Sequence, residues 1–152
     1  MKLKSLLLFA CFATFSTSIY AEAFTWSGGD GTTAPLWRTF FNSITLPVGQ
    51  PEDGDKIAII DIENGNRVVG VYTVKVSDIG TSKGTALAFS TLQQGEGYTP
   101  GNTYSFHYWD ASQKKTYTKC TIAIIDFGKY NETVFPNDDA KQSAFDLTFT
   151  RK

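Results

Sequence analysis

From Thr39 onward, short apolar and β-branched runs alternate with clusters of Gly, Pro, Asp and Asn, and no stretch keeps a helical period. The runs expected to be strands are Thr39–Leu46, Lys56–Ile62, Arg67–Ser77, Ala86–Leu92, Thr103–Trp109, Thr116–Asp126 and Ala144–Phe149. Turn chemistry separates them. Pro47 to Asp55 holds two prolines and two glycines, and Thr99-Pro100-Gly101-Asn102 and Asp110-Ala111-Ser112-Gln113 read as tight turns. Asn64-Gly65 is the strongest hairpin signal, since both central residues of a type I′ turn need positive φ. This spacing predicts an all-β domain: a single antiparallel β-sandwich of about seven strands, immunoglobulin-like or jelly-roll-like.

Alternation assigns the faces. Tyr104, Phe106 and Tyr108 share one side of their strand and are expected in the core, while Ser105, His107 and Trp109 share the other. In Arg67–Ser77 the set Val68, Tyr72, Val74 and Val76 is the more apolar and is expected to point inward. Ile57-Ala58-Ile59-Ile60 is apolar on both sides, as in a central strand.

The residues before Thr39 read differently. Lys2 and Lys4 precede an apolar run from Leu6 to Phe15, and Ala21-Glu22-Ala23 supplies small-x-small subsites. The run is short of the roughly 20 residues that span a bilayer, so residues 1–21 are expected to be a cleaved export signal. Cleavage is expected after Ala21, with Ala23 as the alternative. A lipoprotein box at Cys11 would leave six residues after Lys4, very few for an export core. Residues 22–38 form a glycine-rich, irregular segment, and residues 39–152 the domain. The implied location is secreted or periplasmic, with no membrane span after processing.

Removal of residues 1–21 leaves 131 residues with 12 basic and 15 acidic side chains. The lysines are scattered, so nothing would be drawn to a phosphate backbone and no nucleic-acid partner is expected. Cys120 would then be the sole cysteine, packed as a small apolar residue, with intermolecular pairing the minority alternative. A domain of this size can stand on its core without a disulfide.

A hydrolase would need a nucleophile with its base, paired carboxylates or a metal. His107 is the one histidine, it falls in a strand, and no Gly-x-Ser-x-Gly elbow exists. The acidic clusters lie in turns, with Asp53 and Asp55 as weak calcium candidates. Asp61-x-Glu63-Asn64-Gly65 fails as an EF-hand loop, because its glycine comes one place early. The chain is therefore expected not to be an enzyme and to need no cofactor.

Aromatic residues are the surplus. Of 22, four leave with the signal and 18 remain. Trp26 and Trp37 flank the glycine-rich loop and Trp109 is expected to face outward, so these three are the candidate ligand contacts.

Two stretches carry a family likeness: Gly54-Asp55-Lys56-Ile57 through Asp61 to Val69-Gly70-Val71, and Tyr104-x-Phe106-x-x-Trp109-Asp110-Ala111-Ser112. Together they resemble a non-catalytic β-sandwich module of large secreted bacterial surface proteins, often found beside carbohydrate-active or sorting domains. The resemblance covers residues 40–120 and departs at Ile60, where an aromatic is usual. It implies an extracellular role, a turn at Gly54-Asp55 and a hairpin closed by Trp109-Asp110-Ala111-Ser112.

The expected function is a secreted binding or adhesion module whose partner is a glycan or a cell-surface protein. One alternative is an assembly subunit pairing through an edge strand, Thr39–Leu46 or Ala144–Phe149. Another is an inhibitor of a secreted enzyme acting through Gln93-Gln94-Gly95-Glu96-Gly97.

Overall fold

The computed structural model describes residues 36–89, 97–125, 132–136 and 141–151. It is all-β. The strands are β1 (Leu36–Thr45), β2 (Lys56–Asp61), β3 (Arg67–Thr73), β4 (Thr85–Phe89), β5 (Tyr104–Asp110), β6 (Lys115–Tyr117), β7 (Lys119–Ile125) and β8 (Lys141–Thr150), with one 3-10 turn at Val76–Asp78. No helix among the described residues is long and apolar enough to cross a membrane. The strands form two four-stranded sheets, ordered β4-β1-β8-β7 and β3-β2-β5-β6.

Aromatic rings join the sheets. Trp37 and Phe41 of β1 meet Tyr104, Tyr72 and Phe106, with centroids 4.5, 5.4 and 5.8 Å apart, and Phe149 of β8 lies 5.3 Å from Tyr108. Each such side chain contributes roughly 1.5–3 kcal/mol through the apolar area it hides. Tyr104, Phe106 and Tyr108 are buried and Ser105, His107 and Trp109 half-buried, as the alternation of β5 requires. Ile57 to Ile60 are buried throughout, and β2 has a neighbour on each side.

Several expectations need correction. There are eight strands among the described residues, because the expected Thr116–Asp126 breaks at Thr118 into β6 and β7, which belong to different sheets. The arrangement is not purely antiparallel: β1 and β8 run parallel, from Trp37 opposite Lys141 to Thr45 opposite Thr148. Among the described residues Ala144–Phe149 lies between β1 and β7, and Thr39 and Phe40 between β4 and β8, so these positions are interior; the outermost described strands are β4, β7, β3 and β6. The first strand also begins at Leu36, which places Trp37 and Arg38 in the sheet rather than in an irregular segment.

Two bulges explain the remaining differences. The β1–β8 register slips between Phe41 and Ser43, leaving Asn42 extra. This slip lets both Phe41 and Ile44 reach the core, and Asp146 Oδ1 holds the bulge by accepting from Asn42 Nδ2 at 2.8 Å and Ser43 Oγ at 2.5 Å. The β2–β3 register slips between Ile59 and Ile60 of β2, which leaves Val69 of β3 extra and Val68 opposite Ile60, and Val69 packs against the core instead. Tyr72 and Val74 point inward as expected, but Val76 sits on the 3-10 turn and is 49 % exposed. The Asn64-Gly65 signal also shifts: a five-residue loop spans 62–66, and positive φ falls on Gly65 and Asn66.

Candidate functional site

Trp37 and Trp109 do not share a face. Trp37 is fully buried, with its ring 5.4 Å from Phe135 and 5.9 Å from Phe145, and its Nε1 donates to Ser143 Oγ at 2.8 Å. This corrects its assignment as a surface contact: a strand position between two aromatic layers absorbs the whole indole, including its one polar atom. Trp109 is half-buried on the side of β5 away from the core, opposite Lys56 of β2 and Thr116 of β6. His107 occupies the same side, opposite Ala58. Trp26 lies outside the described residues, as do Gln93 to Glu96 of the expected inhibitory loop.

The acidic candidates hold turns. Asp55, 2 % exposed, accepts from the Tyr108 hydroxyl and the Glu52 N–H through Oδ2, and from the Ala111 N–H through Oδ1 at 2.8 Å. Burial, reinforced by the Asp55 carboxylate, pushes the Tyr108 hydroxyl well above the usual phenol range. Asp53 Oδ1 accepts from the Val76 N–H at 2.7 Å. The two calcium candidates thus bind different backbone donors. Among the described residues no group of three or more His, Cys, Asp or Glu could hold a metal ion.

Two further aspartates behave alike. Asp61, fully buried, accepts from Asn102 Nδ2 at 2.7 Å, Thr99 N–H at 2.8 Å and Asn64 N–H at 3.3 Å. Asp110 Oδ1 accepts from Ser112 Oγ and Gln113 N–H. Beside Asp61, Glu63 accepts from the Thr103 N–H at 2.8 Å, and that hydrogen bond holds its carboxyl below the usual range. These side chains replace the backbone partners that turns lack.

The described residues also enclose a groove of about 360 Å³ on the outer side of the β4-β1-β8-β7 sheet. Phe40 and Ala144, register partners on β1 and β8, line it together with Asn42, Gln142 and the loop residues Gly80, Thr81 and Ser82. The loop is fastened to β1, for Phe41 N–H donates to Gly84 O at 3.1 Å and Gly80 N–H to Phe41 O at 2.9 Å. Thr81 turns it tightly, donating from its N–H and hydroxyl to Asp78 O and accepting from the Lys83 N–H. Sequence reading missed this groove. Phe40 and Gln142 look like ordinary strand residues, and only the β1–β8 pairing brings them together.

Compared with known families, characterised proteins and solved structures, the chain matches none.

Proposed function

We propose that this chain is a secreted or periplasmic, non-catalytic binding module built as a β-sandwich. The observation that carries this reading is the state of the buried carboxylates. Asp55, Asp61 and Asp110, the groups best hidden for acid–base work, are each taken up by two or more turn donors. Facing sheets joined by aromatic rings support the sandwich, and the eight described strands in two sheets of four match the jelly-roll count, although β1 and β8 run parallel. The two stretches that carry the family resemblance also meet, because Asp55 accepts from the Ala111 N–H.

The ligand class is a glycan, with Trp109 as the contact supplied by β5. Titrating soluble polysaccharides into the processed protein while following tryptophan fluorescence tests this. A saturable shift that Trp109→Ala abolishes is the expected result, and no shift with any glycan would remove the Trp109 site.

A second reading has an observation of its own. Among the described residues β7 pairs with β8 alone within its sheet, and it is rich in β-branched residues, which suits strand addition by another subunit. Cross-linking and size exclusion at high concentration decide it, since a strict monomer argues against assembly.

A further inference from the structure

The groove beside Phe40 combines three properties that narrow its ligand chemistry. Its floor is apolar, formed by Phe40 and Ala144. Among the described residues its rim is polar and carries no charge: Asn42, Thr81, Ser82 and Gln142. Its shape is also set in advance. Gly84 lies so close to Asp78 that a Cβ there would stand 2.6 Å from the Asp78 carbonyl oxygen, and Gly80 takes φ +79. Asn42 is oriented by its hydrogen bond to Asp146, which leaves its own carbonyl oxygen as an acceptor.

These properties exclude most ligands. An ion would meet no opposite charge among the described lining residues, and a wholly apolar molecule would strip water from the amides and hydroxyls without replacing its hydrogen bonds. A neutral ring with one C–H face and several hydroxyls suits both floor and rim. The volume lies at the small-ligand end of the usual range, roughly 300–1,000 Å³. We propose that this groove binds a neutral sugar ring, with its C–H face on Phe40 and its hydroxyls toward the amides of Asn42 and Gln142. The proposal rests on the reading of the chain as a non-catalytic binding module, and it is independent of Trp109, which belongs to the other sheet.

The test is calorimetry and amide chemical-shift mapping of the processed protein with maltose, cellobiose, lactose and N,N′-diacetylchitobiose. At least one sugar is expected to shift the amides of residues 80–84 and 142–144. Ser82→Phe, on the exposed loop, fills the groove and is expected to weaken binding at least about tenfold, and Gln142→Ala by about threefold or more, each fold-change reading directly as Kd. Gln142 is exposed, so its variant keeps the test valid if Ser82→Phe fails to fold. Thr73→Ala, an exposed change on β3 of the other sheet, should leave the affinity unchanged. Shifts confined to β5, with both groove variants binding normally, would overturn the groove and leave the Trp109 site standing. If none of these sugars bound, the groove would fall, while the Trp109 site would still be decided by the polysaccharide titration.

Discussion

Two tyrosines that face each other across β5 and β6 show how much a single hydrogen bond decides. Tyr108 and Tyr117 are register partners and both are buried. The Tyr108 hydroxyl donates to Asp55, whereas the Tyr117 hydroxyl finds no partner among the described residues. Tyr108→Phe should therefore lower stability by about 1–2 kcal/mol, and Tyr117→Phe should raise it by about 0.5–1 kcal/mol. Urea unfolding measures both, and equal effects would refute the asymmetry. Ionisation adds a second readout. Burial raises the Tyr108 hydroxyl and pushes the Cys120 thiol up to about 12 from an ordinary 9.0. In each case the folded state holds its proton more tightly than the unfolded state. The stability so gained is complete below the ordinary values, 9.0 for the thiol and 10.0 for the phenol, and falls as pH rises beyond them. Cys120→Ala should flatten the onset of alkaline unfolding above about pH 9. For the same reason Cys120 should resist alkylation near pH 8 in the folded protein and react readily in urea.

At the scale of elements, local pattern was the part of the fold open to sequence reading. The alternation in β5 and the double apolar face of β2 are properties of a few consecutive residues, so their burial could be read directly. The bulges at Asn42 and Val69 could not, since each is defined by a partner strand distant in sequence. Trp37 failed for a similar reason: its indole N–H is satisfied by Ser143, 106 residues away. The groove was illegible too, because its floor joins β1 to β8. The loop from Asp78 to Gly84 gives an element-scale test. Gly84→Ala must push backbone against backbone and should cost about 2–3 kcal/mol. Gly49→Ala meets nothing within 4 Å and should cost only the strain of its φ of +75, about 1–2 kcal/mol. Matched chemical denaturation curves separate the two, and a Gly84→Ala variant as stable as Gly49→Ala would mean the loop moves freely.

For the whole molecule, the expected export signal makes a mass prediction. Protein recovered from a secreting host should begin at Glu22, with Phe24 as the alternative start, and intact-mass spectrometry distinguishes these from an unprocessed chain. Half-burial of Cys120 against the core should also keep the protein free of intermolecular disulfides on non-reducing gels.

The parallel pairing of β1 with β8 has a mechanical consequence. The chain enters the sheet at one pole, where Trp37 lies opposite Lys141, and leaves β8 at the other, beyond Thr148 opposite Thr45. Tension applied through the two ends draws these neighbours along their length in opposite senses. The hydrogen bonds between them then bear load together instead of parting one at a time, while β4 and β7 brace the pair from either side. A chain loaded through both of its ends would resist traction through this shear geometry.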